Sequence, residues 1–291
     1  MKTILVTGSN GQLASCIKDV VNQNNDLNMI YTDYLELDIS DLNQVESFFD
    51  ANKIDYCINC AAYTAVDNAE SETEKVFKIN TLGPKYLAQT CKNHSVVLIH
   101  ISTDFVFDGK KAEPYVETDI TKPISVYGES KLQGEVEVQK ILKEHFIIRT
   151  AWLYSEYGQN FMKTMIRLAE TRDEISVVSD QFGTPTYAKD LADVIKKIIT
   201  TNNQNFGLYH YSNKGIASWY DFAKAIFIFS KKTIKTTPIK TSDYFTLATR
   251  PHYSVLDKTK ITTNININIH QWRESLKKAI SNLNLKTFYD I

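Results

Sequence analysis

The chain has 291 residues, 43% of them hydrophobic and 23% charged, enough for a sizeable core in one large domain or two modest ones. A net charge of −1 leaves no strong field to draw it to nucleic acid or an anionic membrane, and no apolar run approaches the ~20 residues that span a bilayer. Neither nucleic acid nor a membrane is therefore expected as a partner.

The N-terminal "MKTILVTGSN" holds too short an apolar run for the core of a secretion signal, so a cytoplasmic location is expected. Residues 2–8, "KTILVTG", are apolar and β-branched and stop at a glycine, which predicts a strand. Residues 12–23 carry apolar positions at helical spacing. A strand is predicted over 28–33, a helix over 42–53 and a strand over 54–62. Cys57 and Cys60 form a C-x-x-C inside that strand. With no second cysteine pair at ligand spacing, they read as small buried hydrophobes in a reduced compartment. Residues 70–94 are helical in pattern, with Pro84 marking a kink or break. A strand follows over 95–104, a helix over 130–145 and a strand over 146–152.

Beyond residue 150 the pattern loosens. Helices are predicted over 160–171, 188–201 and 218–230, a strand and loop over 175–187, and a strand over 207–213. "NININI" at 264–269 reads as an extended connector. No Gly/Ser-rich linker separates the two halves, so the second is expected to be woven onto the first rather than hung from it.

Near-continuous apolar strands alternating with amphipathic helices imply a parallel sheet covered on both faces. "VTGSNGQLA" joins the first strand to the first helix, with Gly8, Gly11 and Ala14 at G-x-x-G-x-x-A spacing. The first glycine permits a tight turn, the second lets backbone approach a pyrophosphate, and a small third residue allows close helix–strand packing. The fold expected is therefore α/β, a Rossmann-type doubly wound sheet. Residues 1–150 would form the dinucleotide-binding domain, completed by segments within 175–212. Residues 151–291 would mainly form a smaller, interleaved C-terminal substrate-binding domain. The second strand ends at Asp33, with Asp38 soon after, where a carboxylate can bind the adenosine ribose. Asp33 favours NADH, since a carboxylate repels a 2′-phosphate, without excluding NADPH.

"YGESK" places Tyr127 four residues before Lys131, so both can share one helix face. A ketone reductase needs a group that hands a proton to the nascent alkoxide. A phenol can do so, and a nearby ammonium brings its pKa toward working pH. "HISTDFVFDG" offers Ser102 and Thr103 at the end of a parallel strand, where a hydroxyl can polarise a carbonyl.

"TGSNGQLA", "AAYTAVDNAE", "ISTDFVFDG", "PISVYGESKLQGE", "RTAWLYSEYGQNFMKTM", "DQFGTPTYAKDLAD" and "TRPHYSVLD" occur in order across roughly residues 1–260. Together they closely resemble the dTDP-4-dehydrorhamnose reductase family, extended short-chain dehydrogenase/reductases of deoxysugar biosynthesis. The resemblance implies reduction of the 4-keto group of dTDP-4-dehydro-β-L-rhamnose to dTDP-L-rhamnose with NADPH or NADH. It implies Tyr127 as proton donor, Lys131 as its tuning charge and nicotinamide-ribose ligand, and Thr103 on the keto oxygen. Asn10, Gly11, Gln12 and Leu13 would hold the pyrophosphate, with Asp38 and Ile39 near the adenosine and Ala62, Tyr63 and Thr64 near the middle of the cofactor. Asp104, Trp152 and Val66 would meet the sugar nucleotide, and Arg250 its diphosphate, with a structural salt bridge as the alternative for that guanidinium.

Some members of the family hold Mg²⁺ on acidic residues. At the matching positions this chain has Cys16 and Lys189, which argue against a metal and against a dimer built around one. Monomer and homodimer both stay open. Two other functions fit the same frame. A 4,6-dehydratase or 4-epimerase is one, but the dehydratases carry an acid where this chain has Phe105. The other is a non-catalytic regulatory subunit like the partner of methionine adenosyltransferase, against which the joint presence of Thr103, Tyr127 and Lys131 argues.

Overall fold

The computed structural model describes residues 1–21 and 26–289. The first half runs β1 (Lys2–Thr7), α1 (Gln12–Val21), β2 (Leu27–Thr32), α2 (Leu42–Ala51), β3 (Tyr56–Asn59), the short α3 (Val66–Ala69) and α4 (Thr73–Phe77), α5 (Gly83–His94), β4 (Val97–Thr103), α6 (Val126–Ile141) and β5 (His145–Thr150). The end of the predicted helix 12–23 lies outside the described residues. One more strand, Gly207–His210, completes a six-stranded sheet in the order β2-β1-β3-β4-β5-(207–210), parallel at every pairing. The chain crosses from one side of β1 to the other between β2 and β3. That reversal opens a crevice at the carboxyl ends of β1 and β3, the usual ligand position in such sheets.

Both faces of the sheet are buried, which is why its strands read as unbroken apolar runs. Ile4 and Val6, Ile99, and Phe146 and Ile148 pack on the side of α1 and α8 (Ala188–Thr200). Leu5, Leu98 and Ile147 point the other way, into the layer formed by α2, α5 and α6. A separate cluster gathers Tyr154 of the short strand Leu153–Tyr154 with Met162, Phe222, Trp272 and Leu276 from α7 (Phe161–Thr171), α9 (Trp219–Phe229) and α11 (Trp272–Tyr289). Between these segments the chain returns twice to the sheet, through α8 and through α10 (Thr259–Ile265). Among the described residues no helix is long and apolar enough to cross a membrane.

Local structure departs from the periodicity in a few places. The predicted helix 70–94 is α4 and α5 joined by a π-helical turn, Lys78–Leu82, with Pro84 just past it, so the irregular turn falls where a proline interrupts the regular ladder. The helix expected from residue 130 begins at Val126, because Ser125 caps it by accepting the Gly128 N–H. The strand expected over 54–62 pairs only at Tyr56–Asn59, and the stretch 175–187 splits into Glu174–Val178, Phe182–Gly183 and Thr186–Tyr187. "NININI" is not wholly extended: α10 runs through Ile265 and ends on left-handed Asn266 at φ 53°, a conformation asparagine tolerates.

Candidate active site

A cleft of about 1060 Å³ opens at the carboxyl ends of the central strands. The glycine turn forms one wall. Gly8 takes φ 65°, and a Cβ there would sit 2.7 Å from the backbone of Ala61, so only glycine lets the turn lie against the end of β3. The Gly11 N–H returns to the Gly8 carbonyl at 3.0 Å, leaving the first-turn N–H groups of α1 at the cleft. Asn10, Gln12 and Leu13 line this wall, with Asp33, Asp38 and Ile39 beyond them. The Asp33 carboxylate accepts the Asn10 N–H at 2.8 Å, which fixes an anion at the end of β2. Across the cleft stand Ala62 and Thr64. Tyr63 is not in the lining; its backbone is held from both sides by the Asn80 amide, and its ring faces Lys75. A glycine turn packed against a neighbouring strand end, a helix N-terminus and a carboxylate are what a dinucleotide needs, so the donor set fits one. The Thr150 hydroxyl, buried at the same cleft, has no partner among the described residues.

The titratable groups meet where β4 ends and α6 begins. At Gly128 a Cβ would collide with the Phe105 carbonyl, so the first turn of α6 can press against the end of β4. Tyr127, Lys131, Thr103 and Asp104 thereby share the cleft. The Thr103 hydroxyl donates to Asp104 Oδ1 at 3.2 Å and accepts the Phe105 N–H. Burial pushes the Asp104 carboxyl up to about 6, and its Oδ2 is left without a partner among the described residues. Burial also raises the Tyr127 phenol to about 12, against the pull of the Thr103 hydroxyl. Lys131 Nζ donates to the Ile101 carbonyl at 2.7 Å, and burial lowers this lysine to about 8. The four-residue spacing brings both groups to one cleft. Burial and the Thr103 hydroxyl act on Tyr127, and the ammonium of Lys131 is held by a strand carbonyl.

Trp152, two residues past β5, has a left-handed backbone, φ 47°, rare for a bulky residue and a common mark of ligand-binding positions. Its ring stacks on Trp219 at 3.6 Å, and both line the cleft with Val66. Arg250 also reaches the lining, but its guanidinium grips Asp67 with two bonds, Nη2–Oδ2 at 2.7 Å and Nη1–Oδ1 at 3.1 Å. Of the two readings for Arg250, the salt bridge is the one this state displays. It holds Asp67 below the usual carboxylate range.

Beneath the site runs a polar row that no sequence motif announced. Thr7, Asn59 and His100 sit in matched register on β1, β3 and β4, on the α6 side of the sheet. Ser102 and Arg149 are matched one step further along β4 and β5. Arg149 binds Glu135 of α6 at 2.6 Å, and Ser102 donates to the same carboxylate at 2.5 Å. Trp219 and Asn80 also escaped the sequence reading; Asn80 rides the π turn and bonds both Tyr63 and Ser130. Cys57 is buried, while Cys60 lines the cleft beside Lys131 with its thiol pushed up by burial. Among the described residues no three His, Cys, Asp or Glu side chains gather as a metal site.

Residues 1–285 match a family described as the RmlD substrate binding domain. A dTDP-4-dehydrorhamnose reductase of Aggregatibacter actinomycetemcomitans is 42% identical, over 95% of this chain and 98% of that protein. The spore coat polysaccharide biosynthesis protein SpsK of Bacillus subtilis is 39% identical, over 96% and 97%. Among solved structures, a dTDP-4-dehydrorhamnose reductase from Clostridium acetobutylicum is 44% identical, with a TM-score of 0.92 over 97% of this chain and 99% of that one. The Bacillus anthracis enzyme of that name, in complex with NADP, is 38% identical with a TM-score of 0.93, over 97% and 100%.

Proposed function

This chain belongs to the RmlD substrate binding domain family, and on that premise we propose that it reduces the 4-keto group of dTDP-4-dehydro-β-L-rhamnose to give dTDP-L-rhamnose. Its cofactor is NADPH or NADH, and a relative of the same name binds NADP. One observation carries the reading: a glycine-turn cradle and the Thr103, Asp104, Tyr127 and Lys131 side chains open onto one cleft.

When bound, the reduced nicotinamide supplies hydride to the keto carbon. Gly8, Gly11 and the first turn of α1 hold the pyrophosphate, and Asp33 and Asp38 face the adenosine ribose. The Thr103 hydroxyl turns its one proton from Asp104 Oδ1 to the keto oxygen and polarises it. Tyr127 stays protonated at any working pH, because burial keeps its phenol near 12. It gives that proton to the substrate oxygen: the phenolic O–H bond breaks and a carbinol O–H forms. An alkoxide is more basic than a phenolate, so the transfer runs downhill. Lys131 holds the nicotinamide ribose and, as ammonium, offsets the phenolate charge. The open Oδ2 of Asp104 takes a sugar hydroxyl. Trp152, Trp219 and Val66 wall the sugar, and Arg250 exchanges part of its grip on Asp67 for the diphosphate.

Phe105 packs edge-on against Tyr127, with ring centroids 5.5 Å apart. A dehydratase would need an acid in that place, so the reductase reading is favoured over elimination of water. Residues 1–150 with segments of 175–212 serve as the dinucleotide-binding part, and 151–291 mainly as the substrate-binding part. We assign the protein to the cytoplasm, as a monomer or homodimer. The test is incubation with dTDP-4-keto-6-deoxyglucose, a 3,5-epimerase and each reduced cofactor. Loss of nicotinamide absorbance together with dTDP-rhamnose supports the reading; no oxidation with either cofactor overturns it.

A further inference from the structure

His100 stands directly behind Lys131 and takes no part in the mechanism above. It is fully buried, with Nε2 at 3.5 Å from Lys131 Nζ and Nδ1 at 3.1 Å from Asn59 Nδ2. The orientation of the Asn59 amide is fixed. Its Oδ1 accepts the Ala61 backbone N–H at 3.1 Å and the Thr7 hydroxyl at 2.8 Å, and a backbone N–H can only donate. Asn59 Nδ2 must therefore donate to His100 Nδ1, which leaves that nitrogen as an acceptor. A neutral imidazole whose Nδ1 accepts carries its proton on Nε2. That N–H points at Lys131.

An N–H dipole aimed at an ammonium repels it, whereas an uncharged amine can accept from it while still donating to the Ile101 carbonyl. We propose that His100 is a positioning residue for Lys131: locked by Asn59 and Thr7, its Nε2–H sets how readily the lysine gives up its proton. Asn59 is an amide and cannot pass a proton on, so the row sets the charge state of Lys131 without feeding it protons.

The other groups facing Lys131 pull in known directions. Glu135, one turn further along α6, and the Cys60 thiol at the end of β3 both favour its charge. Glu135 is itself neutralised by Arg149. Tyr127 lies one turn earlier on the same face. His145 and Lys131 both press His100 toward its neutral form, and burial does so most.

The inference rests on the reading that Lys131 serves the cofactor. The test compares the pH profile of kcat/KM for the reduced dinucleotide in the wild type, His100→Leu and Lys131→Met. Removing the N–H in His100→Leu should move the alkaline limb upward by roughly one pH unit. A limb left in place means that burial alone sets the lysine, and it overturns the proposal. If Lys131→Met keeps the full wild-type profile, the role of Lys131 itself fails. Should His100→Leu not fold, nitrogen NMR of the ¹⁵N-histidine-labelled wild type decides. A neutral ring protonated at Nε2 supports the proposal; an imidazolium or an Nδ1–H ring overturns it.

Discussion

Raising the pH through about 8 should switch the site off while leaving the fold intact. Burial holds Lys131 near 8, well below an exposed lysine. One unit above that value only about a tenth of the molecules keep the ammonium, and two units above about a hundredth. Since kcat/KM reports the free enzyme, its value for the reduced dinucleotide should fall about tenfold per pH unit along this limb. Stability runs the other way. A lysine whose pKa is depressed by folding leaves the unfolded chain binding more protons between about 8 and about 10.5, so its contribution to stability rises with pH across that window. The assay is initial rate against pH, paired with thermal melts at each pH. A flat profile up to about pH 10 would refute the reasoning, as would a decline that tracks loss of fold.

Asp33→Asn removes the carboxylate at the end of β2 while keeping an oxygen for the Asn10 N–H. It should raise the NADPH-to-NADH ratio of kcat/KM by about tenfold, from the lost repulsion of a 2′-phosphate; an unchanged ratio places the ribose elsewhere. Arg250→Ala should raise KM for the sugar nucleotide by about tenfold or more with kcat little changed, as expected for a lost charge-assisted phosphate contact. Asp67→Asn, which loosens the competing grip, should not raise that KM. If both substitutions only lower the melting temperature, the pair is purely structural, worth about 1 kcal/mol for so exposed a bridge.

The sheet was legible because burial on both faces leaves short apolar runs such as "ILV" and "FII", and the glycine turn because Gly8 alone can lie against Ala61. Tyr127 and Lys131 were legible through helix geometry, although the helix starts four residues earlier than its periodicity suggests, since Ser125 caps it there. What stayed hidden depends on contacts distant in sequence. Asp67 lies 183 positions from the arginine it holds, and Trp219 meets Trp152 only after the chain has returned to the cleft. The π turn that presents Asn80 is one irregular turn inside a stretch otherwise helical in pattern. The row of Thr7, Asn59 and His100 exists only once strand register is known. Spacing brings Lys131 beside Tyr127 but says nothing of the Ile101 carbonyl that also holds the ammonium.

The most direct measurement is the turnover of Tyr127→Phe beside its affinity for the reduced dinucleotide. With Tyr127 as the proton donor, kcat falls by roughly 10²–10⁴ while cofactor affinity stays within about threefold of the wild type. Turnover within about threefold of the wild type would contradict it.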